Sequence, residues 1–334
     1  MNDVKSVEKP KILSAIEFSE KHVVFEFIIL FFLMVMILQP SFFQPVNLIT
    51  IFQQSTIIGM LTFGMVFVMI AEGGGAVDLS VGAVMSLSAS LFILRINAGG
   101  SLVGTLVVCL LAGVAIGILN GILTITFRLP QFIGTLCSMY IAFGIENIFA
   151  EGRSVYLSSD QAREKVIILY NNVVGKIALP IIITIVVCFF LYLLLNKSSF
   201  GLRLYAIGFN STASQTSGIA VRKYKYIAYI ASGLLAAFAG ILLCSRMTSS
   251  TIHMGEPMLM QAIAAAFIGT SASSDGRPTV IGCLFGSFLY QAIANAMIFL
   301  GLSYEIIEFL TGVVIVFIVV FSSYSFRQKA KSAQ

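Results

Sequence analysis

The sequence predicts an all-α polytopic membrane protein of about ten transmembrane helices, some of them short or broken. Of its 334 residues, 58% are hydrophobic and only 10% are charged, and the mean hydropathy is +0.98. Soluble domains carry about 25% charged residues. The composition therefore excludes an ordinary soluble domain, and the apolar residues fall in runs that follow one another along the whole chain.

The candidate spans are the apolar runs that approach the length of a membrane-crossing helix, about 20 residues. In chain order they are Val23–Gln39, Ile51–Ala71, Leu79–Ile96, Leu102–Leu123, Gln131–Phe149, Ile177–Leu195, Tyr226–Cys244, Pro257–Gly269, Val280–Leu300 and Ile306–Phe321. The eighth run is short, so a re-entrant or broken helix is the alternative to a full span there. The residues before the first run are too polar for a signal peptide, so we expect this run to be retained.

The distribution of Lys and Arg predicts the orientation, because these residues concentrate on the cytoplasmic side of membrane proteins. An even number of spans puts both basic termini on one side, together with most other Lys and Arg residues. We therefore expect cytoplasmic segments at 1–21 and 323–334, flanking a transmembrane domain at 22–322. A glycine-rich basic connection at 196–225 lies on the same side. The connection at 151–175 lies outside, as a surface or lid for a partner or as a plain solvated loop.

The stretch Glu72–Gly82, EGGGAVDLSVG, interrupts an otherwise apolar region. Glycine runs and carboxylates are unfavourable in a lipid-facing helix, because backbone groups and charge lose water there. We expect this stretch at the membrane surface, inside the bundle or beside a watery cavity. Asp78 and Ser80 are placed to cap the third span.

A weaker version of this pattern recurs at 268–278, IGTSASSDGRP, between further apolar runs. The recurrence predicts a weak internal two-fold repeat. In the predicted topology both breaks face the cytoplasm, so the two halves would be parallel and not inverted.

Signatures of catalysis are missing from the sequence. It has no GxxxxGK[ST] phosphate loop and no HExxH motif, and its only histidines are His22 and His253. We therefore expect no catalytic residue, no cofactor and no metal site. Carboxylates inside a membrane bundle are typical ion-coupling groups of carriers, and Asp78 and Glu146 are the candidates. Glu146 either faces a pore or pairs with Arg153.

Four polar residues inside predicted spans are candidates for contact with a solute: Asn120, Glu146, Gln261 and Asn295. Hydrogen bonding between helices is the alternative for the two asparagines and the glutamine, and the sequence favours neither interpretation.

Five stretches together carry a resemblance to a known family. They are VDLSVGAV at 77–84, LNGILTITFRLPQFIGTL at 119–136, SSFGLRLYAIGFNSTASQTSGIAV at 198–221, ASGLLAAFAGILLCSRM at 231–247 and AIAAAFIGTSASSDGRPTVIGCLFGS at 262–287. With them the chain resembles, over nearly its whole length, the membrane-spanning permease subunits of bacterial ABC importers of the ribose/galactose/xylose type.

This resemblance implies a subunit that translocates a monosaccharide or similar small polyhydroxylated solute across the inner membrane. It implies three protein partners: a periplasmic sugar-binding protein, a separate cytoplasmic ABC ATPase, and a second permease subunit, either an identical or a related chain. The lipid bilayer is the fourth partner, and no nucleic acid is expected. The chain itself would not be an enzyme.

The resemblance also assigns roles to residues. The break at the inner end of the pathway contains Gly74, Gly75, Asp78, Ser80 and Gly82. The loop that couples to the ATPase contains Phe200, Gly201, Arg203, Gly208 and Asn210. The alternative function is a standalone ion-coupled secondary transporter that uses Asp78 and Glu146.

Overall fold

The computed structural model describes residues 28–73, 75–171, 173–174, 177–273, 276–303, 305–307, 309–310, 312–313 and 316. The predicted terminal segments, Gly74, His22 and most of the predicted last span lie outside these residues. The predicted domain limits therefore stay predictions.

Helices account for most of the described chain. They are α1 (Ile28–Leu38), α2 (Pro45–Glu72), α3 (Val81–Asn97), α4 (Leu102–Gly121), a π-helical turn (Ile122–Thr126), α5 (Gln131–Phe149), α6 (Asp160–Asn171), α7 (Leu179–Asn196), α8 (Ser199–Phe209), α9 (Ser211–Thr216), α10 (Val221–Met247), α11 (Glu256–Ala272) and α12 (Val280–Phe299), with a 3-10 turn at Pro40–Phe43. Two short antiparallel pairs of strands join β1 (Val155–Tyr156) to β4 (Ser249–Ser250) and β2 (Val173–Val174) to β3 (Ile177–Ala178).

Capping side chains help to explain where the apolar helices begin. Ser101 and Thr279 precede α4 and α12, and their hydroxyl oxygens accept hydrogen bonds from the backbone N–H groups of Gly104 and Gly282. Such bonds satisfy N–H groups that the first turn of a helix leaves unpaired.

Six of the described helices are long and apolar enough to cross a membrane: α2, α4 with the π-helical turn, α5, α7, α10 and α12. The apolar helices α1 and α3 are shorter, and α11 has 17 residues. A polytopic helical membrane fold is thereby confirmed. The count of about ten spans stays a prediction, because the shorter helices do not meet the usual spanning length.

The bundle has two ends, which we name after the short helices that lie there. At the α8 end, Gly208 packs against Ile70 near the last turn of α2. At the α6 end, the hydroxyl of Tyr170 donates to the carbonyl oxygen of Gln53 on α2. The 28-residue helix α2 is buried from Ser55 to Ala71, and α10 and α12 pack antiparallel against it.

Two non-helical segments enter the bundle from opposite ends. Residues 73–80 follow α2 at the α8 end, and residues 248–255 follow α10 at the α6 end. Each segment leads into one of the shorter helices, α3 or α11. These two helices begin side by side, because Gly82 and Gly255 are in direct backbone contact.

Two predictions about connections need correction. The break predicted at 268–278 begins too early, because α11 continues to Ala272 and Gly269 packs tightly against Gly282 of α12. The connection at 151–175 is not a plain solvated loop. It contains β1 and the helix α6, whose Val166 side chain is fully buried.

Candidate functional site

Asp78 lies at the centre of a buried polar cluster. Its Oδ1 atom accepts hydrogen bonds from the backbone N–H of Ser80 at 2.9 Å and from the Ser80 hydroxyl at 2.7 Å. Oδ2 accepts from the Ser232 hydroxyl at 2.7 Å, and Nδ2 of Asn120 lies 3.3 and 3.4 Å from the two carboxylate oxygens. All four side chains are fully buried. The cluster therefore ties the start of α3 to α4 and α10.

The start of α3 differs in detail from the predicted cap. Ser80 directly precedes the helix, but its hydroxyl donates to Asp78 and does not accept a backbone N–H group. Asp78 instead accepts the N–H of Ser80. Gly73 and Gly75 have φ angles of 70° and 80°, a region that favours glycine. These glycines let the chain turn back into the bundle after α2.

Glu146 belongs to a second buried cluster. Its Oε1 atom accepts hydrogen bonds from the hydroxyls of Ser86 at 2.9 Å and Ser90 at 2.8 Å. The Ser90 hydroxyl also lies 2.9 Å from that of Ser250 in the segment 248–255. Among the described residues Glu146 has no ion pair with Arg153, so that alternative is wrong. The carboxylate instead joins α5 to α3.

The other polar candidates take part mainly in contacts between helices. Asn120 donates to Ser80 at 2.8 Å in addition to its contact with Asp78. Asn295 on α12 accepts from Nδ2 of Asn47 on α2 at 3.0 Å. Gln261 is half-buried on α11. For the two asparagines the geometry favours the structural alternative over contact with a solute.

Four serines in these clusters were not predicted from the sequence: Ser86, Ser90, Ser232 and Ser250. Ser86 and Ser90 are four residues apart on α3, a spacing that places them on one helix face. That spacing, inside an apolar helix, is a signal that points to a shared polar partner. Ser232 carries no such signal, because its partner Asp78 is 154 positions away.

The predicted coupling segment forms two helices at the α8 end. Ser198 caps α8 by accepting from the backbone N–H groups of Phe200 and Gly201, and Asn210 caps α9 by accepting from Ala213 at 2.9 Å. The ring of Phe200 stacks on Tyr224 of α10, with centroids 5.3 Å apart. The Arg203 guanidinium donates to the Tyr224 hydroxyl at 3.0 Å.

Two glycines hold α8 against the transmembrane helices. A Cβ atom on Gly201 would overlap the carbonyl oxygen of Leu195 in α7, and one on Gly208 would overlap that of Ile70 in α2. Gly208 also contacts Gly73, the first residue of the break. On the other face, Leu202 and Phe209 are 71% and 87% exposed. The helix is thus fixed on one side and presents apolar side chains on the other.

An ion pair closes the same end of the bundle. Nζ of Lys225, on the first turns of α10, lies 2.5 Å from Oε2 of Glu72, the last residue of α2. The Tyr229 hydroxyl donates to Oε1 of Glu72 at 3.2 Å. Both charged side chains are largely buried.

The fold and these buried clusters define a polytopic helical membrane protein. The chain belongs to the family described as the permease component of branched-chain amino acid transport systems, which it matches over residues 47–319. This membership confirms the resemblance to importer permeases.

Three relatives illustrate the family. The chain is 33% identical to the ribose import permease protein RbsC of Bacillus subtilis over 272 residues. The aligned region covers 81% of this chain and 83% of the relative. It is 29% identical over 274 residues to the fructose import permease protein FruF of Bifidobacterium longum, an alignment that covers 82% of this chain and 76% of FruF. It is 28% identical over 296 residues to the autoinducer 2 import system permease protein LsrC of Yersinia pseudotuberculosis, covering 88% and 82%.

Proposed function

We propose that the chain is the membrane-spanning permease subunit of an ABC importer in a bacterial inner membrane. Its cargo is a monosaccharide or a similar small polyhydroxylated solute. A periplasmic binding protein delivers the solute, a separate cytoplasmic ATPase supplies the energy, and a second permease subunit completes the membrane part. Relatives named for ribose, fructose and autoinducer 2 import support this class of cargo.

The observation that carries the proposal is the attachment of α8. Its glycines leave no space between α8 and the ends of α2 and α7. A force on the exposed face, which carries Leu202 and Phe209, would therefore reach the transmembrane helices without being lost in a flexible loop. Gly201, Gly208 and the caps Ser198 and Asn210 provide the rigid attachment. Phe200 and Arg203 provide the contact with α10.

The proposed orientation puts the α8 end in the cytoplasm. Basic residues near α8 and α9, such as Lys197, Arg222 and Lys223, support this side by the positive-inside rule. The α6 end then faces the binding protein. Both termini lie in the cytoplasm in the ten-span arrangement.

The proposed internal repeat pairs α2, segment 73–80 and α3 with α10, segment 248–255 and α11. The two halves would be related by inversion, since their breaks enter from opposite ends and meet at Gly82 and Gly255. Inverted repeats of this kind are common in transporters. This arrangement replaces the parallel pairing with 268–278.

The ion-coupled carrier is the less favoured function. The carboxylates of Asp78 and Glu146 accept hydrogen bonds from different sets of serines, in two separate clusters, and both are fully buried. The family and the relatives also favour an ATP-driven permease.

The test is co-purification of the chain with its co-expressed cognate ATPase. Replacing Leu202 and Phe209 with alanine should abolish the association and the ATP-driven uptake, because the apolar contact face is removed. The matched control is Tyr156→Ala, which removes a large exposed side chain (66%) on β1, near the α6 end. The association of this control variant with the ATPase should be unchanged. Intact association in the double variant would refute the role of α8.

A further inference from the structure

A cavity of about 230 Å³ opens at the α8 end beside the ion pair. It lies between the π-helical turn, the start of α5, α9 and the start of α10. Its polar wall consists of Glu72, Thr124, Gln131, Ser211, Arg222 and Lys225, and the remaining wall is aliphatic.

Several polar side chains of the cavity are held in place by the surrounding structure. Gln131 donates through Nε2 to the carbonyl oxygen of Val77 in the break. Thr124 donates to the carbonyl oxygen of Asn120 at 2.7 Å, in the residue that contacts Asp78. The cavity therefore adjoins both the segment 73–80 and the Asp78 cluster.

The chemistry of the wall suits a neutral hydroxylated ligand. The charges of Glu72 and Lys225 neutralise each other, which leaves one further cation, Arg222, among amide and hydroxyl groups. Such a mixture offers donors and acceptors to sugar hydroxyls, and the aliphatic wall suits the C–H face of a sugar ring. Pockets for drug-sized ligands measure about 300–1,000 Å³, so this smaller cavity fits a single ring.

We propose that this cavity is a solute subsite at the cytoplasmic end of the pathway, which binds a neutral monosaccharide through Gln131, Thr124 and Arg222. The inference rests on the proposed function for its physiological meaning. A solute bound there would contact Ser211 of α9 and Gln131, which is hydrogen-bonded to Val77 of the break. It would occupy the exit after translocation and would return to it when solute accumulates in the cell.

Binding is tested on the full-length purified chain in detergent. The chain has no tryptophan, so Phe127→Trp, next to the π-helical turn, supplies a single fluorescent reporter. We expect a saturable response to D-ribose or D-fructose. Gln131→Leu and, separately, Arg222→Met should weaken it about tenfold. The matched control is Gln161→Leu on α6, an exposed glutamine at the opposite end, which should leave the response unchanged.

The outcomes separate this inference from the proposed function. A saturable response to ribose 5-phosphate but not to either sugar would overturn the assignment of a neutral ligand. No saturable response, in a chain whose reconstituted importer shows ATP-driven uptake, would overturn the subsite and leave the proposed function standing. Equal responses in Gln131→Leu, Arg222→Met and the control would also overturn it. Absence of ATP-driven uptake by the unaltered importer would refute the proposed function itself.

Discussion

Replacement of Asp78 distinguishes a structural role from a role in solute recognition. The carboxylate accepts hydrogen bonds from Ser80, Ser232 and Asn120 and lies out of reach of water. If this cluster holds three helices together, Asp78→Asn and Asp78→Ala should lower the stability and assembly of the permease. The choice of solute should change less.

The expected magnitude follows from the donors that each change leaves without an acceptor. Asp78→Ala leaves the Ser80 N–H, the Ser80 hydroxyl and the Ser232 hydroxyl without an acceptor, whereas the Asn120 amide keeps its hydrogen bond to Ser80. A buried unsatisfied donor costs about 1–3 kcal/mol, so the alanine variant should lose roughly 3 kcal/mol or more. Asp78→Asn keeps one acceptor oxygen but directs a second amide group at Asn120. The free energy of unfolding of the asparagine variant should fall by about 1–3 kcal/mol.

Thermal unfolding followed with a thiol-reactive dye measures these losses. Four of the five cysteines are buried and become reactive on unfolding, whereas Cys137 is exposed and is replaced by serine to lower the background. Asp78→Asn should lower the apparent melting temperature by about 1–4 °C. The control Glu164→Gln removes an exposed carboxylate of α6 and should have little effect. An unchanged melting temperature together with an altered solute preference would refute the structural role.

Three further changes test other parts of the molecule. Gly208→Ala should reduce ATP-driven uptake, because the added Cβ atom would overlap the carbonyl oxygen of Ile70. The control Gly144→Ala should not, because a Cβ atom there would meet no neighbouring residue within 4 Å. Equal uptake by the two variants would contradict the packing argument. Glu146→Gln keeps an acceptor for the two serines and should retain ATP-driven uptake, whereas abolished uptake with normal folding would favour ion coupling. Burial raises the pKa of Tyr205 to about 12, and its neutral hydroxyl donates to Pro278 at 2.9 Å. The contribution of this hydrogen bond to the free energy of unfolding is complete below pH 10 and is lost as the pH rises through 12. Tyr205→Phe should therefore lower the free energy of unfolding by about 1 kcal/mol at pH 7. In unfolding titrations the variant should also lack the loss of stability between pH 10 and 12.

The sequence predicts best those features that depend on neighbouring residues. The span predicted at Gln131–Phe149 has the same bounds as α5, because a proline precedes it and a polar, glycine-containing turn follows. The glycines and the carboxylate of Glu72–Gly82 likewise predict a break, since a helix tolerates neither there.

Features that depend on distant residues could not be predicted in the same way. The ion pair of Glu72 with Lys225 and the bond of Asp78 with Ser232 join positions more than 150 residues apart. The entry of 248–255 into the bundle was missed because its short polar sequence resembles a surface connection. Its non-glycine residues Thr248 and His253 adopt positive φ angles of 55° and 57°, which residue type alone does not predict.

The position of α8 gives a physical reason why a force on α8 would reach the break and not only a single helix. Gly208 touches both Ile70 and Gly73, so it spans the last turn of α2 and the first residue of the segment 73–80. A displacement of α8 must therefore change the angle at which the chain leaves α2. Because Asp78 fixes the far end of this segment to α4 and α10, that change would be carried to three helices at once. We therefore expect Gly208→Ala and Asp78→Asn to be non-additive in uptake, and strict additivity would argue that the two contacts act independently.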